Sequence, residues 1–295
     1  MVSKEILQYF FSILYQDSGL ILDESKKYLI ETRLEPIAAQ EGFASIDALG
    51  RGLMQKRSPI LRQKVVDAMT TNETYFFRDQ TPFTIMQEEI FPEFLRTKEK
   101  SKRIRIWCAA SSTGQESYSL AMLIKEMGPK LDGWNIQIQA TDISEHVLEQ
   151  ARKGIYSQHE VQRGLSTPYL LRYFTQKGLT WQLKPEIRNM VSFRRLNLLS
   201  NLSSVGDVDV VFCRNILIYF DLKTKQNVIS RIADLITPNG VLFLGGSEAL
   251  MGIKSPLVRV EAKKGSYYRK SAPSMRNGNG DRTLSESKRR GVCQT

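Results

Sequence analysis

The sequence predicts an α/β protein: a doubly wound, mostly parallel sheet that follows a helical domain and carries a small inserted antiparallel β-subdomain. Three observations support this. Residues 1–80 carry helix caps and helical apolar spacing. From Arg103 onward, short runs rich in Ile and Val alternate with helical stretches, the signature of βα units and a parallel sheet. That rhythm is interrupted between about residues 165 and 195, where apolar residues alternate after a glycine.

The N-terminal stretch MVSKEILQYFFSILYQDSG has no basic leader and no small-residue cleavage site, so it reads as a retained helix. Asp23 or Ser25 caps a helix running to about Gln40, and Ser45 caps another. Ser58, followed by Pro59 at the first helical position, opens a third, with Leu61, Val65 and Met69 on one stripe. Thr81-Pro82 starts a helix with Phe83, Met86 and Ile90 on one face, which Pro92 is expected to break or kink. Strands are expected at IRIWCAA, IQIQATD, VDVVFCRN and GVLFLGGSE, with helices near 115–127, 144–152 and 223–236. Leu179, Trp181 and Leu183 mark the inserted hairpin, and VRVEAKKGSYYRK reads as a second hairpin turning at or near Lys264-Gly265. The expected domains are 1–80, helical with a linker; 81–270, carrying the sheet and the 165–195 insertion; and 271–295, a basic tail with too few bulky apolar residues to order.

Composition narrows the function. With 41% hydrophobic and 25% charged residues the chain is of ordinary globular type, and no apolar run reaches the roughly 18 residues of a membrane span. Cys108, Cys213 and Cys293 are odd in number, far apart and without metal-ligand spacing, so a reducing cytosol and no metal are expected. The net charge of +11 suggests nucleic acid until it is located. Residues 263–295 carry nine Lys/Arg against two acids, and residues 96–105 six against one, which leaves the remainder nearly neutral. No continuous basic groove follows, and no nucleic-acid partner is expected.

Ligands of open α/β sheets sit beyond the carboxyl ends of the strands, where strand order reverses. After the first strand come Ala109, Ala110, Ser111, Ser112, Thr113 and Gly114, small residues that let the backbone approach a ligand. Asp142 ends the next strand, 28 residues after Gly114, where an acid accepts hydrogen bonds from ribose hydroxyls or caps the helix opening at Ser144. Glu116, on the first turn of the following helix, either complements the helix dipole or receives the cationic part of a ligand. A carboxylate there repels pyrophosphate, which favours S-adenosylmethionine over a dinucleotide. A third strand ends in Cys213-Arg214-Asn215, then Ile218-Tyr219-Phe220, on the same rim. A parallel sheet closed by an antiparallel hairpin is the layout of the class I methyltransferase (Rossmann-like) fold.

The blocks TNETYFFR (71–78), AASSTGQESYS (109–119), ATDIS (140–144), NLL (197–199), FCRNILIYF (212–220) and GGSE (245–248) resemble, in order, those of the CheR-type chemotaxis receptor (protein-glutamate) O-methyltransferases. The resemblance spans roughly residues 20–270. It implies cofactor contacts from Asn72, Thr74, Arg78, Glu116, Asp142, Asn197, Leu198, Arg214 and Asn215, with Arg78 and Tyr219 flanking the transferred methyl group. It also implies S-adenosylhomocysteine as product, and methyl-accepting chemotaxis receptors as partners whose glutamates become methyl esters. A monomer in the cytoplasm, near membrane receptor arrays, goes with that role, and residues 71–79 become a lid over the cofactor. A glutamate is already ionised at neutral pH, so its attack on a sulfonium methyl needs no general base, and His146 and His159 are expected on the surface.

Two departures from the family stand out. Its strongly basic second helix here holds Lys26, Lys27 and Arg33 beside Glu31, Glu35 and Pro36, which shifts the expected receptor-facing charge to Arg51, Lys56, Arg57, Arg62 and Lys64. The stretch between Phe174 and Leu183 is short, with a hairpin loop near Gln176-Lys177-Gly178, so a receptor C-terminal tether peptide is not expected to bind. Two other readings stay open: a methyltransferase with a different acceptor, and a non-catalytic adapter that senses the cofactor.

Overall fold

The computed structural model describes residues 2–56 and 58–270; Met1, Arg57 and the tail 271–295, with Cys293, lie outside the described residues. The helical part consists of α1 (Lys4–Ser18), α2 (Lys27–Gln40), α3 (Ile46–Lys56) and α4 (Pro59–Met69). Its caps follow from the sequence. Asp23 accepts from the Ser25 N–H at 2.9 Å, Ser45 Oγ from Ala48 N–H at 3.1 Å, and Ser58 Oγ from Leu61 N–H at 3.3 Å. The inward stripes meet in one core that includes Phe10, Leu14, Ile30, Leu34, Leu49 and Val65.

After the linker come α5 (Thr81–Ile85), a π-helical turn (Met86–Ile90) and α6 (Phe91–Thr97). Pro92 neither ends nor breaks this helix. The wide turn ahead of it, closed by Phe91 N–H on the Met86 carbonyl, leaves Pro92 in the first turn of α6, where its missing N–H costs nothing.

The sheet region then runs β1 (Arg103–Ala109), α7 (Gln115–Glu126), β2 (Asn135–Asp142), α8 (Glu145–Lys153), β3 (Ile155–Ser157), α9 (Gln158–Gln162), α10 (Thr167–Tyr173), β4 (Phe174–Lys177), β5 (Thr180–Leu183), α11 (Pro185–Arg188), β6 (Val191–Arg195), β7 (Val208–Cys213), α12 (Leu222–Leu235), β8 (Ile236–Phe243), β9 (Leu257–Ala262) and β10 (Gly265–Lys270). Seven strands form one sheet in the order β6-β2-β1-β7-β8-β10-β9, parallel except for the terminal pair. Strand order reverses between β1 and β7, which pair so that Ala109 lies beside Cys213. β7 is buried along its whole length: Val210 and Phe212 pack into one apolar layer, Val211 and Cys213 into the other. Its one charge, Asp209, is bonded to Lys98 Nζ, Arg105 N–H and Thr237 Oγ1 at 2.8, 2.9 and 2.8 Å.

The closing hairpin turns at Lys263-Lys264, and Arg269 on β10 clamps both carboxylate oxygens of Glu93 on α6. The inserted sheet has three antiparallel strands in the order β3-β5-β4 and reaches upstream to Ile155. Val191–Arg195, expected within the insertion, is instead the edge strand of the main sheet, parallel to β2. Leu179 sits in the Gly178-Leu179 turn, 92% exposed, rather than on a strand. No helix of the described residues is long and apolar enough to cross a membrane.

Candidate functional site

A cavity opens beyond the carboxyl ends of β1 and β7, where the fold places a ligand. All ten site residues expected from the sequence line it. The turn after β1 is built from left-handed backbone at Ala110 (φ 57°), Ser112 (φ 50°) and Gly114 (φ 93°), which tucks the chain under the cavity and starts α7. Asp142, only 5% exposed, accepts from the Ser112 N–H at 2.8 Å and from the Ser144 N–H at 3.0 Å. It thus both organises the start of α8 and faces the cavity, and each carboxylate oxygen keeps a lone pair for a ligand. Burial holds its carboxyl above the ordinary range, against the opposing pull of those N–H donors.

Arg214 and Glu116 form the charged floor. The Arg214 guanidinium donates to Glu116 Oε2 at 2.7 Å, to Asp79 Oδ2 at 2.7 Å and to the Arg78 carbonyl at 2.9 Å. Burial raises the Glu116 carboxyl above its usual value, and Arg214 opposes that shift. Asn215, in left-handed conformation (φ 59°), is held by Glu248, whose Oε2 accepts from the Asn215 and Gly245 N–H groups at 2.7 Å each. The GGSE block thereby carries a positioning carboxylate that the sequence reading did not single out.

The linker closes one side. Asn72 accepts from Ser112 Oγ at 2.9 Å through its carbonyl, and Thr74 and Arg78 face the cavity. Arg78 donates to the Glu73 carbonyl at 2.8 Å, and its guanidinium lies 5.5 Å from the Tyr75 ring. From the inserted subdomain Arg163 stacks on the same ring at 4.4 Å and pairs with Glu73 at 2.6 Å. The contact is close: a Cβ on Gly164 would lie 2.0 Å from the Phe76 carbonyl oxygen.

Asn197 and Leu198 follow β6, with Asn197 donating to the Asp17 carbonyl of α1 and accepting from the Leu199 N–H. Half-buried Tyr219 stands at the rim, its carbonyl accepting from the Ile21 N–H at 3.2 Å. The helical domain therefore contributes wall beyond the linker: Ser18 and Leu20 line the cavity, which the sequence reading missed. The one local signal was Gly19. Its φ of 73° ends α1, and a Cβ there would sit 3.1 Å from Phe220.

Two observations fit this cavity to a ligand of the S-adenosylmethionine kind. Ser111 Oγ and Arg214 Nε are buried without a hydrogen-bond partner, and both residues line it; buried polar atoms are otherwise nearly always paired. Among the described residues, six of the eight non-glycine residues at positive φ, Phe77, Asp79, Gln80, Ala110, Ser112 and Asn215, lie on the loops around it, where backbone strain is characteristic of functional sites. Two carboxylates and a small-residue turn suit a ribose and a cation better than phosphates.

The remaining sequence expectations divide. His146 and His159 are exposed and line no part of the cavity. Of the basic face expected on α3 and α4, Arg62 pairs with Asp17 and Lys64 with Glu41, Arg51 and Lys56 are exposed without an ion pair among the described residues, and Arg57 lies outside the described residues. The partners of Arg62 and Lys64 stand on α1 and just after α2, invisible to a reading confined to local charge runs.

Two family models match the chain in succession: the CheR methyltransferase all-alpha domain over residues 5–70, and the CheR methyltransferase SAM binding domain over residues 72–266. Chemotaxis protein methyltransferase Cher2 of Pseudomonas putida is 42% identical over 254 residues, 85% of this chain and 92% of that protein. Chemotaxis protein methyltransferase 1 of Pseudomonas aeruginosa is 43% identical over 85% of this chain and 92% of its own length. Its namesake in Vibrio cholerae is 38% identical over 91% and 98%. With both domains matched in order around the cavity, the chain belongs to the CheR methyltransferase family, S-adenosylmethionine-dependent methyltransferases of chemotaxis.

Proposed function

We propose that this enzyme methylates glutamate side chains of chemotaxis receptors, forming glutamate methyl esters. One observation supports this most: the cavity brings Arg78 and Tyr219 together with the expected cofactor contacts, and no histidine lines it. When bound, S-adenosylmethionine supplies an electrophilic methyl group on sulfur. Asp142 would hold the ribose hydroxyls and Glu116 the amino group, since Arg214 engages only one oxygen of the Glu116 carboxylate. Asn72, Thr74, Asn197, Leu198, Arg214 and Asn215 complete the enclosure. Arg78 holds the acceptor carboxylate through its planar guanidinium, and the Tyr219 hydroxyl donates beside it. Because the acceptor is already ionised, these residues work by alignment, which needs no general base.

The enzyme acts as a monomer at the cytoplasmic side of receptor arrays and reaches the methylation helices directly. The inserted hairpin closes in two residues, Gly178-Leu179, which leaves little surface for strand addition by a receptor tether peptide. The test is incubation with labelled S-adenosylmethionine and membranes bearing receptors. Label on the receptor band, released by mild base, supports the reading; base-stable label or none refutes it.

A further inference from the structure

Arg214, Asn215 and Tyr219 all stand on the stretch 214–219 that follows β7 and lines the cavity. Its geometry is unusual at the start and tight at the end. Asn215 is left-handed at φ 59°, and the turn Leu217–Tyr219 is closed by Tyr219 N–H on the Ile216 carbonyl at 3.2 Å and by Phe220 N–H on the Leu217 carbonyl at 3.1 Å. Neither bond fixes how the turn lies relative to Asn215.

Glu248, in the loop after β8, supplies that link. Its Oε2 accepts from the Asn215 and Gly245 N–H groups at 2.7 Å each, and its Oε1 accepts from the Ile218 N–H at 3.3 Å. The Gly245 bond is local and would suffice to close the loop. The other two cross to the β7 side and spend both oxygens on the two ends of one stretch, the second at the residue before Tyr219. Glu248 forms no ion pair among the described residues, so its charge is met by main-chain donors, which makes these bonds strong. The two loops are also fitted to each other. A Cβ on Gly245 would lie 2.7 Å from Asn215 Nδ2 and 2.8 Å from Glu248 Oε2.

We propose that Glu248 is a positioning residue for methyl transfer: by tying Ile218 to Asn215 it sets where the Tyr219 hydroxyl stands. The inference rests on the reading that Tyr219 flanks the transferred methyl group, and it names what holds that residue in place. Catalysis by alignment is sensitive to such a link, since a misplacement of about 1 Å can cost about a hundredfold in rate.

Glu248→Gln separates the two halves of the contact. An amide oxygen in place of Oε2 keeps the bonds to Asn215 and Gly245, while the NH2 group meets the Ile218 N–H donor against donor. In the ligand-free full chain, amide hydrogen exchange is expected to quicken at Ile218 and to stay slow at Asn215 and Gly245. Calorimetric affinity for S-adenosylmethionine is expected within about twofold of wild type, with kcat on receptor-bearing membranes about tenfold lower. Glu248→Ala releases all three N–H groups and is expected to weaken S-adenosylmethionine binding as well, by about fivefold. The combination with Tyr219→Phe separates positioning from general loosening. If Glu248 acts through the Tyr219 hydroxyl, E248Q/Y219F turns over within about twofold of Y219F alone, whereas a merely structural loss multiplies with it. Multiplying effects, wild-type kcat in Glu248→Gln, or unchanged exchange at Ile218 overturns the positioning role and leaves the reading of Tyr219 intact. Wild-type turnover in Tyr219→Phe alone overturns that reading, and the positioning role with it.

Discussion

Replacing Arg214 by Met removes the guanidinium and keeps the apolar stem. In the wild type that side chain is 2% exposed and bridges Glu116, 11% exposed, and Asp79, 42% exposed. Asp79 regains water when its partner goes. Glu116 does not, and a buried carboxylate left without its counter-ion costs about 3–5 kcal/mol. The Arg78 carbonyl loses one donor, worth about 1 kcal/mol. Arg214→Met is therefore expected to lose about 4 kcal/mol of the roughly 5–15 kcal/mol that stabilises a domain. Adding Glu116→Gln removes the stranded charge, so the double variant should recover about 2 kcal/mol relative to Arg214→Met alone.

The pH dependence has a definite sign. Burial raises the folded-state carboxyl of Glu116 above its unfolded value, so its contribution to stability is full below the unfolded pKa and is lost as pH rises through the folded one. Without Arg214 that folded value rises further, so the deficit of Arg214→Met should be largest near neutrality and should shrink toward the acidic end of the glutamate range. Urea unfolding at several pH values measures both effects. A single variant within about 1 kcal/mol of wild type, or a double variant no more stable than Arg214→Met, refutes the argument.

Four further outcomes are expected. Asp142→Ala should weaken S-adenosylmethionine binding by about 1–3 kcal/mol in calorimetry, through unpaired polar groups; unchanged affinity removes Asp142 from the site. Arg78→Ala and Tyr219→Phe should lower turnover without moving the melting temperature, and wild-type turnover in Arg78→Ala negates its acceptor role. Arg163→Ala should loosen the linker through Tyr75 and Glu73 and raise KM for S-adenosylmethionine, an effect that Arg163→Lys partly rescues. Burial also raises the Asp67 carboxyl. Asp67→Asn should thus gain stability over wild type as pH rises above the carboxylate range, and a pH-independent difference in melting temperature contradicts this.

The strands were legible because apolar runs broke off in polar or small residues: Ala110-Ser111 after β1, Asp142 at the end of β2, Arg214-Asn215 after β7. Those interruptions also marked residues that line the cavity. The edge elements were not legible. β3 is three residues long with Ile155 and Ser157 exposed, too short for any period to register, and β6 is half solvent-facing and ends in two arginines. The wide turn before Pro92 left no trace because its side chains keep a helical stripe. Ser18, Leu20 and the pairing of Arg62 and Lys64 depend on how the helical domain lies against the sheet, which no local pattern encodes. Glu248 stood in a recognised block, but its bond to the Asn215 N–H spans 33 residues.

The position of β10 bears on how this protein is made. The sheet's inner antiparallel strand, Gly265–Lys270, lies between β8 and β9 and anchors to Glu93 through Arg269 and to the Ile236 carbonyl through Lys270. β9 has no other neighbour in the sheet. While residue 270 is still inside the ribosome, β8 presents a bare strand edge and β9 has nothing to pair with. The helical domain and the first βα units can assemble during synthesis, but the sheet seals only when Gly265–Lys270 emerges. A nascent chain stalled before that point carries an open β-edge, the kind that recruits chaperones or other nascent chains.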